Sequence, residues 1–250
     1  MPEVRANSVL PAIREPLTLT TTDGLRLIGE LAVPADRPPQ AVIVCVHPLP
    51  TAAGMMDSHL FRKAAWRLPA LADIAVLRFN TRGTQSAAGT SEGSFSEAEG
   101  EGLDVAAAVA FAGIRGLPTP WLIGWSFGTD VILKHPEIQP IKGIFLISPT
   151  LRFSTDEDLH EWADSGLPVT ALIPELDDYL RPPQADVRFS SIPQAAVIAV
   201  KGAKHLWVGE PYVRIALNEI VRTVAPAALD PQTGNLPTEW EGPMENWTDL

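Results

Sequence analysis

Residues 121–129 are Trp-Leu-Ile-Gly-Trp-Ser-Phe-Gly-Thr and contain the pattern G-x-S-x-G from Gly124 to Gly128. A short apolar run precedes the pattern and a run with helical spacing follows it, so the sequence predicts a sharp turn from a strand into a helix. Glycine has no Cβ and is favoured where such a turn brings two backbones close together. Ser126 would therefore lie at the carboxyl end of a buried strand, directly before a helix.

The chain on both sides of this turn alternates short apolar runs with helical patterns. Strands that are apolar on both faces are typical of a buried parallel sheet. An earlier stretch, 17–33, alternates polar and apolar residues around Asp23-Gly24 and predicts a β-hairpin. We predict an α/β fold: a mostly parallel, doubly wound sheet of about eight strands with helices on both faces. The apolar runs are 41–46, 74–79, 121–123, 143–147, 169–173 and 196–200, and the helical patterns are about 57–70, 97–114, 126–135, 155–165, 183–190 and 210–224.

The last 25 residues differ from the rest in composition. Residues 226–250 contain five acidic residues, no lysine or arginine, four prolines and two tryptophans, Trp240 and Trp247. We expect one α/β domain over 1–225 and an acidic tail over 226–250. The tail would either lie across the domain, with its tryptophans as anchors, or serve as a partner-binding or dimer-exchange arm.

The overall composition excludes several classes of protein. The chain has 19 Lys and Arg against 30 Asp and Glu, a formal net charge of −11. Nucleic acids and anionic membrane surfaces need a basic face, so we expect neither as the main partner. The single cysteine, Cys45, excludes an internal disulfide and a cysteine-based metal site. No apolar run approaches the roughly 18 residues of a membrane span and no signal peptide is evident, so we expect a cytoplasmic protein.

The pattern G-x-S-x-G occurs twice in the chain. The second match, 89–93, has Ser91 at its centre and lies in a polar, glycine-rich stretch with no strand before it. Ser126 is therefore the candidate nucleophile. A serine hydroxyl needs a base to remove its proton and a third group to orient that base.

In this type of fold the base and the acid are expected in the chain order Ser, acid, His. Only His205 falls in a loop after a late apolar strand, so it is the candidate base. The candidate acid is Asp177, in the loop after 169–173. Asp178 and Glu175 are alternatives that the sequence does not separate from it.

An oxyanion hole needs two backbone N–H groups aimed at one point. One is expected from Phe127, the residue after the nucleophile. The second is expected from the loop after 41–46, where two nearby prolines lack an N–H and leave Leu49 as the donor. We interpret His47, in the same loop, as a brace rather than as a second base.

Two tryptophans flank the candidate nucleophile and base. Trp125 precedes the serine and Trp207 follows the histidine by two positions, so both could line an apolar acyl pocket, with packing beneath the loops as an equal alternative. The loop over 81–96 leaves the same edge of the sheet and could act as a lid. Only twenty residues separate Ser148 from Val169, which is too few for a large inserted cap.

Together these motifs resemble the α/β-hydrolase superfamily, and more closely a group of small bacterial serine hydrolases distantly similar to dienelactone hydrolase. The group's oxyanion loop, H-P-H-P-L-x-G-G-x-M-D, compares with 47–57, its R-F-N-x-R-G with 78–83, its S-x-G-S-F with 91–95 and its G-A-x-H with 202–205. The resemblance extends over the chain up to the tail. It departs at Leu49, where the group has a second histidine, at Pro174, where it has glycine, and in the longer stretch before Ser91.

The motifs and the resemblance imply a hydrolase for carboxylic esters or thioesters that works through an acyl-enzyme. Its substrate would be a small-molecule ester, and no metal or organic cofactor is implied. Dienelactone hydrolase itself has a cysteine nucleophile, so its substrate is not implied here. Two further hypotheses stay open: a non-catalytic scaffold of the same fold that binds a partner, and an acyltransferase or perhydrolase that uses the same three residues.

Overall fold

Eight strands form the central sheet of the protein in a computed structural model that describes residues 1–247. The sheet order is β8-β7-β6-β5-β3-β4-β2-β1. β1 and β2 form an antiparallel hairpin and β2 pairs antiparallel with β4, while the remaining pairs are parallel. The strands are β1 (Ile13–Thr20), β2 (Arg26–Val33), β3 (Ala41–Val46), β4 (Ile74–Phe79), β5 (Trp121–Trp125), β6 (Gly143–Ile147), β7 (Val169–Pro174) and β8 (Ala195–Val200).

Six α-helices cover the two faces of this sheet within the described residues. α1 and α6 pack on one face, and α2 to α5 pack on the other. The predicted α/β fold is confirmed, and the largest boundary differences lie at the starts of β1 and α2. The helices are α1 (His59–Ala72), α2 (Glu101–Ile114), α3 (Phe127–Lys134), α4 (Asp156–Ser165), α5 (Pro182–Phe189) and α6 (Glu210–Val224).

The inner strands are buried because helices cover them on both sides. β3, β4, β6 and β7 are buried along their whole length, whereas the edge strand β8 is half-buried or exposed up to its last residue. Since β3 to β8 run in parallel, the loops that follow them gather at one edge of the sheet. That edge holds the loops after β3, β5, β7 and β8, where the sequence places its candidate residues.

The described part of the tail, 226–247, lies against the domain and the first ten residues. The Trp247 ring lies 5.3 Å from the Trp66 ring, and the Arg62 guanidinium lies 4.1 Å from the Trp247 ring. Trp247 thus anchors the tail on α1, and residues 248–250 lie outside the described residues. Residues 8–9 pair antiparallel with 245–246, and further backbone hydrogen bonds between the two ends of the chain include Val4 N–H to Thr238 O (2.8 Å), Trp240 N–H to Pro2 O (3.0 Å) and Trp247 N–H to Asn7 O (2.8 Å).

His47 joins the loops that follow β3 and β4. Its side chain is buried, its Nδ1 donates to Pro48 O at 2.6 Å, and its Nε2 accepts the Thr81 N–H at 3.0 Å. An acceptor at Nε2 requires the neutral ring. Burial lowers the pKa of His47 to about 4, and the hydrogen bond to Pro48 opposes that shift only in part. The neutral ring therefore braces the two loops.

We expect His47 to make the stability of the protein depend on pH. The unfolded chain binds a proton at His47 near pH 6.5 and the folded protein only near pH 4, so stability falls as the pH decreases through this interval. The loss approaches about 3 kcal/mol at its acid end. Urea denaturation at several pH values measures it: His47→Gln should lower the free energy of unfolding at neutral pH but weaken its decrease toward acid. Equal pH slopes for wild type and variant would contradict this role.

Candidate active site

Ser126 lies at the sharp turn between β5 and α3. Its φ of 55° and ψ of −120° are costly for a residue other than glycine. A Cβ on Gly124 would lie 2.6 Å from Gly128 O, and a Cβ on Gly128 would lie 2.0 Å from Val46 O. Both glycines are therefore needed for the turn to pack against β3. The turn presents Ser126 at the carboxyl edge of the sheet, with 8% of the residue exposed.

Three side chains form a continuous hydrogen-bonded row at this edge. His205 Nε2 lies 2.8 Å from Ser126 Oγ, and His205 Nδ1 lies 2.9 Å from Asp177 Oδ2. Asp177 is 1% exposed, and its Oδ1 accepts the N–H groups of Tyr179 and Leu180. The carboxylate favours the tautomer with hydrogen on Nδ1, which leaves Nε2 to accept the serine proton.

The two alternative acids lie in other positions. Glu175 Oε2 accepts the Gly202 N–H at 2.7 Å, and Asp178 is exposed. Neither has a hydrogen bond to His205 within the described chain. Of the three acids in this loop, Asp177 is the one that the structure brings to the candidate base.

Leu49 and Phe127, the two expected N–H donors, both line the cleft at Ser126. Phe127 is the first residue of α3, where an N–H has no acceptor inside the helix. Leu49 directly precedes a short 3-10 turn, Pro50–Ala52. Within residues 1–247 neither N–H donates to a protein acceptor, so both are available to a ligand oxygen.

The cleft at Ser126 is small and mostly apolar. Its volume is about 120 Å³. The lining contains one side chain with a permanent charge, Arg152, at its exposed mouth. The lining residues are Pro48, Leu49, Ala52, Ser126, Phe127, Thr150, Arg152, Phe153, Tyr179, His205 and Leu206.

Trp125 and Trp207 do not line this cleft, so the prediction of an acyl pocket formed by them is wrong. Both are buried in the core beneath α1 and α6. Side chains alternate across a strand, and Trp125 therefore points to that face, where its ring packs on Phe61 with 6.0 Å between centroids. Trp207 has a φ of 52°, in a turn that directs its side chain into the same core.

Both indoles instead hold the backbone around His205. Trp125 Nε1 donates to His205 O at 3.2 Å, and Ser148 Oγ donates to the same carbonyl at 3.1 Å. Trp207 Nε1 donates to Ser148 Oγ at 2.8 Å. Sequence reasoning missed Ser148, although it follows β6 directly and therefore lies at the same edge of the sheet.

The loop over 81–96 lies beside the cleft, and none of its residues lines it. Arg82 bonds Asp104 on α2 at 2.8 and 3.1 Å, which fastens the loop to the domain. Ser91, the centre of the second G-x-S-x-G, is buried; its Oγ donates to Asn80 O at 2.8 Å and accepts the Ile28 N–H at 3.0 Å. Ser91 is thus a brace of a fastened loop, and the described structure gives no support to a lid.

Cys45 is buried in β3, and burial raises the pKa of its thiol, which makes it a poor nucleophile. Over residues 1–247 no group of three or more His, Cys, Asp or Glu side chains is arranged to hold a metal ion. In the same range no helix has the length and apolar composition to cross a bilayer.

No protein-family model matches the chain, and no curated protein matches it either. Several solved structures do match, and each match covers most of that structure's chain and most of this one. An α/β serine hydrolase without a lid from Xanthomonas campestris is 26% identical, with a TM-score of 0.68 over 86% of this chain and 96% of its own. An alpha-beta serine hydrolase homologue from Coxiella burnetii is 19% identical, with a TM-score of 0.69 over 84% and 97%.

An esterase from Pyrococcus furiosus is also similar, at 16% identity and a TM-score of 0.68 over 85% of this chain and 93% of that one. At these identities the shared feature is the arrangement of strands and helices. The described part of this chain also lacks a domain inserted between β6 and β7, where α4 alone connects the strands. The chain therefore has the lid-less α/β-hydrolase fold of these structures and, by structural similarity, belongs to the α/β serine hydrolase superfamily.

Proposed function

We propose that this protein is a serine hydrolase that cleaves carboxylic esters or thioesters through an acyl-enzyme. The observation that carries the proposal is the row of Ser126, His205 and Asp177, with hydrogen-bond distances of 2.8 and 2.9 Å. A free N–H pair at Leu49 and Phe127 beside the serine supports the same chemistry. The similar structures include proteins described as serine hydrolases and esterases, which agrees with this class.

In the first half of the reaction, His205 Nε2 takes the proton of the Ser126 hydroxyl while Oγ forms a bond to the substrate carbonyl carbon. The electron pair of the carbonyl moves to its oxygen, to which Leu49 and Phe127 donate hydrogen bonds. Asp177 stabilises the imidazolium. The carbonyl then reforms, the bond to the leaving oxygen or sulfur breaks, and His205 gives that atom its proton.

In the second half, His205 Nε2 takes a proton from a water molecule whose oxygen bonds to the acyl carbon. The same two N–H groups hold the second oxyanion. When it collapses, the ester bond to Ser126 breaks and His205 returns the proton to Oγ. The carboxylic acid leaves, and the three side chains regain their starting protonation.

The backbone of His205 is held by side chains from the ends of β5 and β6, and we infer that these position its ring. An indole N–H can only donate, so Trp207 makes Ser148 Oγ an acceptor, and the Ser148 hydrogen points to His205 O. Trp125 donates to the same carbonyl. All of these residues are buried, so water cannot replace the bonds. Trp125, Ser148 and Trp207 are therefore positioning residues for the base.

A fluorophosphonate probe tests the nucleophile. We expect the folded wild type to be labelled and Ser126→Ala not to be labelled, because Ser126 Oγ would form the bond to phosphorus. Ser91→Ala is the matched control, since it removes the serine of the other G-x-S-x-G, and it should keep its label. A folded wild type without label would favour the scaffold hypothesis, and label that persists in Ser126→Ala would locate the nucleophile elsewhere.

The acyl preference follows from the size of the cleft. With a cleft of about 120 Å³, we expect 4-nitrophenyl acetate and butyrate to be hydrolysed with a kcat/KM at least about tenfold above that of the dodecanoate. Phe153 lines the cleft, so Phe153→Ala should move the preference toward longer chains, whereas Phe111→Ala on α2 should not. A wild-type preference for dodecanoate would contradict this expectation.

The positioning role of Trp207 is tested by Trp207→Phe, which removes one indole N–H. We expect kcat to fall about tenfold with little change in KM, because the base loses alignment with Ser126. Trp162→Phe is the matched control: Trp162 is also buried and donates to Leu133 O at 2.9 Å, but from α4. Both variants should lose about 1–3 kcal/mol of stability, because each loses a hydrogen bond and leaves a cavity in the core. Equal kcat values for the two variants would show that the bond is merely structural.

A further inference from the structure

We propose that Arg152 binds an anionic group on the leaving part of the substrate, so that the preferred substrates are esters or thioesters of an alcohol or thiol that carries a carboxylate or phosphate. This inference rests on the proposed hydrolase function and adds a substrate class to it. Guanidinium is the side chain best suited to such groups, because its planar N–H donors match two oxygens of a carboxylate or phosphate.

The first observation is the lack of a carboxylate partner for this cation. Arg152 is the one lysine or arginine that lines the cleft at Ser126, and no aspartate or glutamate lines it. Within residues 1–247 its guanidinium forms no salt bridge and no hydrogen bond. The chain has 30 acidic residues against 19 basic ones, and the cations Arg67 and Arg78 are paired with carboxylates at 2.7 and 2.8 Å. What distinguishes Arg152 is that its unpaired guanidinium belongs to the lining of the cleft at Ser126, where it is available to a ligand.

The second observation locates the guanidinium on the side of the base. It lies 5.7 Å from the ring of Phe153 and 5.8 Å from the ring of Tyr179. The Tyr179 ring in turn lies 4.7 Å from the His205 ring. The leaving atom must reach His205 to receive its proton, so the part of the substrate beyond that atom extends toward this side of the cleft. The anionic group is therefore assigned to the leaving part.

The third observation is that the backbone around Arg152 is held in place. Asp130 on α3 is buried and accepts hydrogen bonds from Thr150 Oγ1 at 2.5 Å, Ser154 N at 3.1 Å and Ser154 Oγ at 2.7 Å. These bonds clamp the segment on both sides of Arg152. A loop that is ordered before binding loses less conformational entropy when the ligand arrives, which favours recognition by this side chain.

Other charges at the site do not duplicate this role. The groove on the far side of His205 is lined by Asp178 and Lys204, whose opposite charges offset each other. The remaining lining of the cleft is apolar or uncharged apart from His205 itself. Selectivity for charge is therefore assigned to Arg152.

The test compares four aryl esters, of which three are butyrates and one is a hemisuccinate. In 4-carboxyphenyl butyrate and 4-(phosphonomethyl)phenyl butyrate, the negative charge lies on the leaving part. The third ester, 4-(methoxycarbonyl)phenyl butyrate, is neutral. The fourth is the hemisuccinate of the same neutral phenol, and its negative charge lies on the acyl part. kcat/KM is measured for wild type, Arg152→Gln, Arg152→Lys and Arg115→Gln. Arg115 is the control because it pairs with exposed Glu15 at the far end of α2.

We expect the ratio of kcat/KM for a leaving-part anion over the neutral ester to fall about threefold to tenfold in Arg152→Gln. The ratio should be only partly kept in Arg152→Lys, which retains the charge but not the planar pair of donors, and unchanged in Arg115→Gln. Added salt should lower it in the wild type, since the guanidinium is exposed. The anion with the larger decrease, carboxylate or phosphonate, identifies the group that Arg152 binds.

An unchanged ratio in Arg152→Gln overturns the proposal, and so does a larger decrease for the hemisuccinate, which would place the charge on the acyl part. Fluorophosphonate labelling of the same preparations separates this failure from failure of the proposed function. Labelled protein with unchanged ratios refutes the anion site alone. Folded wild-type protein that is neither labelled nor active on any of the esters refutes the hydrolase and the anion site together.

Discussion

The contact on which the site depends is the close approach of Gly128 to the carbonyl of Val46, where a Cβ would lie only 2.0 Å from the oxygen. This contact brings the start of α3 against the end of β3. Phe127 precedes the glycine, and Leu49 follows Val46 by three positions, so the same contact brings these two residues to one cleft. The strained turn at Ser126 persists because both neighbouring glycines allow this packing.

The two faces of the sheet support different parts of the site. The core beneath α1 and α6 contains Trp125, which donates directly to the carbonyl of His205, and Trp207, which reaches that carbonyl through Ser148. The opposite face contains α3, from which Asp130 holds the segment with Arg152. The proposed chemistry and charge selection at this edge would therefore rely on buried polar groups from both layers, where unmade hydrogen bonds are costly.

Sequence reasoning reached Ser126 from the context of its G-x-S-x-G pattern and His205 from order along the chain, and the structure joins His205 by hydrogen bonds to both Ser126 and Asp177. It favoured Asp177 but did not exclude two nearby acids, because all three lie within four residues of one loop and any could follow the strand. The two tryptophans were predicted to line the cleft but are buried beneath it. Each has a large apolar ring next to a site residue, and adjacency in sequence does not indicate the direction of a side chain at a turn.

The sequence by itself determined the strand and helix pattern, the turn at Ser126 and the chain order of the candidate nucleophile, acid and base. These are local properties, set by the period of apolar residues and by glycines at fixed spacing. The tertiary structure alone decided which acid meets His205, that Ser148 links Trp207 to the base, and that Arg152 has no carboxylate partner within the described residues. The reason is physical: such contacts join residues from strands distant in the chain, and their distances arise only when the sheet packs against its helices.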